Sequence, residues 1–214
     1  MITLTPVLER WSADCPFWPV EQTDLYLAVP RMPISQQVGT VVWTLVARSV
    51  TANDLSIAAT DAAEAIELYL TCDDGDFAPG GLRVGGDNVV IDPGCCVGLD
   101  EWRDWLRVND GEVIDLGHDP DPLIDHRGPA VRVWKDGGQL PAGSVLGPEE
   151  PHIDIPRDLL PNLLGGVQRD LAGFLAALHP WAQGIRSDLA DPLSAAMDRR
   201  LQISEPLGCC PTSP

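Results

Sequence analysis

Two adjacent thiols stand in Asp92-Pro93-Gly94-Cys95-Cys96-Val97-Gly98, and an imidazole follows in Leu116-Gly117-His118-Asp119-Pro120. Thiolates and imidazoles are the donors that zinc and other soft metals prefer, so Cys95, Cys96 and His118 are candidate ligands for such an ion, in an enzyme or a sensor. A helix is predicted directly after the cysteines. Its free N–H groups and dipole predict a lowered thiol pKa, which would also suit a nucleophile. The spacing departs from the usual zinc pattern of Cys-x₂₋₄-Cys and His-x₃₋₅-His knuckles, because the cysteines are adjacent and His118 lies 22 residues beyond the second. Packing is the favoured role of both cysteines, since unpaired cysteines behave as small buried apolar side chains. Cys209 and Cys210 repeat the Gly-Cys-Cys pattern in the tail, where they could bridge to the first pair or deliver a metal to it. Lipidation is excluded by the residues that follow them, Pro211 first.

Other catalytic templates fail. Gly-x-Ser-x-Gly, Gly-x-Gly-x-x-Gly and phosphate-loop patterns do not occur, and Lys135 is the sole lysine. Asp73, Asp74 and Asp76 lack the order and closing Glu of a calcium loop and read as a solvated turn. His118-Asp119 could form an acid/base couple, but carboxylates are so numerous here that some lie near any histidine. No catalytic residue is named, and a non-enzymatic protein is favoured.

Charge offers a second chemistry. The chain carries 32 acidic and 14 basic side chains, and residues 54–126 hold 18 of the first and 3 of the second. Such a region repels phosphates, which argues against nucleic acid and anionic membrane, and it steers basic partners. Asp100, Glu101, Asp104, Asp119, Asp121 and Asp125 are the candidate residues for engaging a basic protein. The segment Asp92-Pro93-Gly94-Cys95-Cys96-Val97-Gly98-Leu99-Asp100-Glu101-Trp102-Arg103-Asp104-Trp105, followed by Leu116-Gly117-His118-Asp119-Pro120, resembles a pattern in uncharacterised acidic bacterial proteins. Some of these are similar in layout to the immunity proteins of toxin systems. That resemblance implies a toxin-neutralising protein with a basic toxin as partner, and it carries over no functional residue. The first expectation is therefore a non-enzymatic acidic binding module, and the second a thiol or metal site at Cys95, Cys96 and His118. A third is a structural or assembly module that uses the aromatics Trp11, Phe17, Trp18 and Tyr26.

The elements that must position these groups follow from patterning. In 214 residues, 44% hydrophobic content supports one α+β domain over 1–205, with an antiparallel or mixed sheet and a C-terminal helical hairpin. Residues 1–33 form a proline- and aromatic-rich arm with one short strand over 24–29. Residues 38–136 hold the sheet and helices. Within them, Val38–Val50 reads as a buried central strand, 52–69 as a helix capped by Thr51 and Asp54, and 82–91 as a hairpin. Leu99–Val108 reads as a short helix with Leu99, Trp102, Trp105 and Leu106 on one face, and Val131–Trp134 as the strand that closes the sheet. A helix from Leu160 stops at Pro180, and a second opens at Asp191-Pro192, the two pairing within 152–203. The tail 206–214 is expected to be flexible. No secretory leader pattern and no apolar run of ~20 residues occurs, so a cytoplasmic location is expected, and no oligomeric state is specified.

Overall fold

A computed structural model describes residues 1–10, 14–22, 24–50, 57–72, 77–137, 146–147 and 149–208. The first strand comes from the arm. Strand β1 (Thr3–Glu9) lies inside an antiparallel sheet of order β2-β1-β3-β4, with β2 at Tyr26–Ala28, β3 at Gly80–Gly85 and β4 at Val90–Ile91. Leu4 stands opposite Val84 and Leu8 opposite Gly80. The expectation of an arm with one short strand is thus corrected: Pro6 masks the strand in sequence, yet its carbonyl still accepts from Val29 N–H at 2.9 Å. The predicted hairpin over 82–91 is present as β3 and β4.

A second antiparallel sheet has the order β5-β6-β7, formed by Leu123–Arg127, Ala130–Trp134 and His152–Pro156. Strand β6, expected to close a single sheet, is the middle of this separate one.

Helices supply the other layer. Val38–Val50, expected as a strand, is the body of helix α1 (Ser35–Val50). Eleven of its 16 residues are buried, so apolar β-branched residues surround it and no single stripe marks the helical period. Its buried hydroxyls are satisfied within the helix, Thr40 donating to Gln36 O at 2.8 Å and Thr44 to Thr40 O at 2.9 Å. Phe17 and Trp18 pack on Trp43, and Trp18 also meets Trp181 edge-to-face at 5.2 Å. These two arm aromatics anchor the arm internally, whereas Trp11 lies outside the described residues.

Helix α2 spans Ala62–Thr71, and its cap is Asp61, whose side chain accepts from Glu64 N. Glu64 reaches back to Thr60 N at 2.7 Å, a reciprocal pair that fixes the start about ten residues later than expected. The expected cap at Thr51 and Asp54 falls outside the described residues.

Helix α4 (Leu160–Ile185) presents Leu160, Leu164, Val167, Leu171, Phe174, Leu178 and Ala182 to the core. It passes through Pro180 rather than stopping there. Pro180 and Ala176, whose carbonyl it cannot bond, are both exposed, so the lost hydrogen bond leaves no residue of the core without a partner. Helix α5 (Ala190–Leu201) packs back on α4, and His179 Nε2 lies 3.0 Å from Asp191 Oδ1 between them.

The predicted helix over 99–108 is a 3₁₀ segment (Leu99–Asp104) running into helix α3 (Trp105–Asn109). Trp102 is fully buried, and its Nε1–H donates to Leu201 O at 2.8 Å, closing the last turn of α5. Trp102→Phe keeps most of the apolar contact but orphans that carbonyl. It should cost about 1–3 kcal/mol, read as a lower urea midpoint at unchanged slope. At the tail, Arg103 donates to Gln202 O, and Leu207 is partly buried against the core. Residues 209–214 lie outside the described residues.

Candidate metal centre

Two loops cross at the cysteines. Gly94 N–H donates to Leu116 O at 2.7 Å, Cys95 N–H to His118 O at 2.7 Å, and His118 N–H to Cys95 O at 3.2 Å. This short antiparallel bridge sets the histidine against the first thiol, although 23 positions separate them. Glycine is required on both sides of the crossing. A Cβ at Gly94 would lie 2.3 Å from His118 N, and Gly117 takes φ +86° with Cys95 O only 2.6 Å from where its Cβ would stand. The Tyr26 hydroxyl donates to Pro93 O at 2.6 Å and ties the first loop to β2. Burial, followed by Glu9 and Asp92, pushes that phenol up to about 12, so it stays a donor.

Cys95 Sγ lies 3.6 Å from Cys96 Sγ, 3.1 Å from His118 Nδ1 and 3.4 Å from His118 Nε2. Among the described residues this is the group of three donors whose ligand atoms all fall within 4.8 Å of one another. Cys95 is half-buried, while Cys96 and His118 are exposed, so an ion can reach them. Cys96 adopts φ +71°, a left-handed conformation unusual for a residue with a Cβ. Asp119 Oδ2 stands 3.5 Å from His118 Nδ1, where a carboxylate can orient the ring.

The expected lowering of the thiol pKa does not occur at Cys95. Its thiol is raised, by partial burial first, then by Cys96, Asp119 and Glu9. The 3₁₀ segment begins only at Leu99, whose N–H is already given to Ala78 O at 2.6 Å, so this helix start does not solvate the thiolate. A neutral thiol is a poor nucleophile. The same carboxylates that oppose a thiolate favour a divalent cation.

The six acidic candidates are distributed over several places. Glu101 and Asp104 line a cleft with Asp92, Asp115, Trp102 and Trp105. Asp100 accepts from Ala78 N at 3.0 Å, Asp119 faces His118, and Asp125 pairs with Arg127 at 2.5 Å. The Asp121 backbone binds Gly137 N and the Asp136 carboxylate. Asp92 and Asp115 of the cleft were not singled out in the sequence, and neither were Glu9, Arg10, Arg48, Phe77 and Pro79, which line a cavity beside the cysteines. These come from separate stretches of chain, so no local pattern marks them.

No helix among the described residues is long and apolar enough to cross a membrane. Neither a family model nor a curated protein nor a solved structure matches the chain.

Proposed function

We propose that the protein binds a soft divalent metal, zinc foremost, through Cys95, Cys96 and His118. The donor geometry carries this reading. Tetrahedral zinc with Zn–S about 2.3 Å and Zn–N about 2.0–2.1 Å needs an S···S edge of about 3.8 Å and an S···N edge of about 3.6 Å. Cys95 Sγ stands 3.6 Å from Cys96 Sγ and 3.4 Å from His118 Nε2, before any ion has drawn them together. Rotation of the exposed imidazole closes the third edge. With Nε2 on the metal, Nδ1–H is left to face Asp119. Three protein ligands leave the fourth position to water or an external ligand, as in sites that act on other molecules.

Native mass spectrometry of the reduced chain after zinc loading and desalting tests the reading. One zinc per chain is expected, and none in Cys95→Ser. A bare wild-type chain would overturn it. Acid should release the ion. The Cys95 thiol, held above its ordinary value, is protonated at pH 7 and must lose that proton to bind. Affinity therefore falls by about tenfold per pH unit from pH 8 to 6 for this proton alone, as chelator competition would read.

A second reading keeps the acidic module that captures a basic partner, in the manner of an immunity protein. The cleft at Glu101 favours it. Burial raises that carboxyl, Asp100 raises it further, and Asp104 and Asp115 add to the effect, so an incoming guanidinium would relieve it. Saturable binding of deca-arginine that is lost in the Glu101→Lys, Asp104→Lys variant supports this reading, and equal binding refutes it.

A further inference from the structure

Adjacent residues of an extended chain turn their side chains to opposite faces, so neighbouring cysteines ordinarily hold their sulfurs apart. At Cys95 and Cys96 they do not: Cys96 takes φ +71°, and the two Sγ atoms lie 3.6 Å apart. We infer that this pair is an oxidation site that closes reversibly to a disulfide between adjacent residues, and that closure expels the metal. The disulfide follows from the metal-free geometry alone, whereas the expulsion rests on the metal reading.

Contact and access favour closure. The sulfurs already touch, and the bond needs them to move from 3.6 Å to about 2.05 Å. Cys96 is exposed, so a reagent in solution reaches it, and Cys95 behind it is half-buried. The backbone of Cys95 is held meanwhile by its paired hydrogen bonds with His118, at 2.7 and 3.2 Å, so the loops need not part for the sulfurs to meet.

The step balances with a small disulfide as oxidant, oxidised glutathione being the probe used below. Cys96 gives its proton to solvent and attacks one sulfur of the reagent; the reagent's S–S bond breaks, a mixed disulfide forms and one small thiolate leaves. Cys95 Sγ then attacks Cys96 Sγ, its proton passing to His118 Nδ1 at 3.1 Å, and the second small thiolate leaves. Each leaving thiolate takes up a proton, so two protein thiols and one disulfide become one protein disulfide and two small thiols. Cys95 is a poor nucleophile towards outside reagents, but here its target is tethered in contact with it, which offsets that weakness.

Reversibility follows from the covalent frame. The Cys95–Cys96 peptide bond is trans, and Cα atoms joined in this way stand about 3.8 Å apart, short of the about 4.4–6.8 Å that disulfides usually span. So tight a bridge is readily reduced, as labile and regulatory disulfides are. Closure takes two of the three ligands and leaves the ion with His118 alone.

The test incubates the full, reduced, metal-free chain with excess oxidised glutathione, blocks the remaining thiols with iodoacetamide and reads peptide masses. The peptide holding Cys95 and Cys96 should lose two hydrogens, carry neither glutathione nor blocking group, and regain both thiols in dithiothreitol. In Cys95→Ser no thiol resolves the first step, so Cys96 should keep its glutathione, whereas Cys72→Ser should close as the wild type does. A wild-type peptide that keeps glutathione, that is bridged to Cys15, Cys72, Cys209 or Cys210, or that takes the blocking group on both thiols overturns the inference. The same oxidation of the zinc-loaded chain, followed with a chelating dye, reads the coupling. One zinc freed for each disulfide closed is expected, and closure with zinc retained overturns the expulsion. If the wild-type chain takes no zinc, the metal reading fails and the expulsion with it, while the peptide masses of the metal-free chain still decide the disulfide.

Discussion

Zinc at about one hundred times its dissociation constant should raise the thermal midpoint by about 5–10 °C, and Cys95→Ser should abolish the rise. A ligand that binds only the folded chain at that excess stabilises it by about 2.7 kcal/mol. For a chain of 214 residues each kcal/mol moves the midpoint by about 2–4 °C. Serine has nearly the volume of cysteine, and Cys95 is only half-buried, so the metal-free variant should melt within about 2 °C of the wild type. The difference between the two chains then isolates the ion. Cys96→Ser and His118→Ala should behave alike, whereas Cys72→Ser, which removes a thiol outside the cluster, should keep the full rise. An undiminished rise in Cys95→Ser would place the bound zinc elsewhere in the chain.

What was legible in the sequence is what depends on local pattern. The stripe Leu164, Val167, Leu171, Phe174 and Leu178 specifies a helix because one face meets the core and the other meets water, and the pairing of α4 with α5 follows from two such stripes in succession. Helix α1 has no water-facing side to supply contrast. Its Val and Thr residues therefore read as strand, and only burial on all sides reveals the helix. Strand β1 failed for a related reason: Pro6 signals a break, but a position needing no N–H partner absorbs it. The donor set could be named from residue types alone. Its assembly could not, because the crossing of the 94–95 and 116–118 loops is made by backbone hydrogen bonds over 23 positions. The sign of the Cys95 shift was misread for the same reason. A helix start near in sequence mattered less than partial burial and the adjacent Cys96, to which Asp119 and Glu9 add.

The acidic excess has a different meaning at each place where the fold puts it. Around the thiols, partial burial and Cys96, with Asp119 and Glu9 adding to them, discourage a free thiolate at Cys95, yet a dication entering the same field is attracted and displaces the proton. At the cleft of Glu101 and Asp104 the carboxylates have apolar walls from Trp102 and Trp105, an environment that strengthens any interaction with a cation. The proposed metal capture and the proposed partner capture would thus draw on one property of the sequence at two separate sites, which is why they can be tested by different substitutions.

Gly94→Ala should separate the crossing from the rest of the fold. The added Cβ would lie 2.3 Å from His118 N and 2.4 Å from both Gly117 C and Pro120 O. All three are backbone atoms, so no side-chain rotation relieves the clash and the two loops must part. Parting strains or breaks the Gly94 N–H to Leu116 O and Cys95 N–H to His118 O bonds, each 2.7 Å long. Overpacking of this kind costs about 1–3 kcal/mol, and each lost hydrogen bond about 0.5–1.5 kcal/mol more. A loss of about 2–6 kcal/mol is expected in urea unfolding. The helices need not share it, because α4 and α5 are held by Leu164, Leu171, Phe174, Leu193 and Met197 in the core. Far-ultraviolet circular dichroism should therefore be retained at 25 °C while zinc affinity falls by at least about tenfold, since the imidazole no longer faces Cys95. Retention of wild-type zinc affinity by a folded Gly94→Ala chain would mean that the crossing does not position His118, and the ligand set would have to be sought among other side chains.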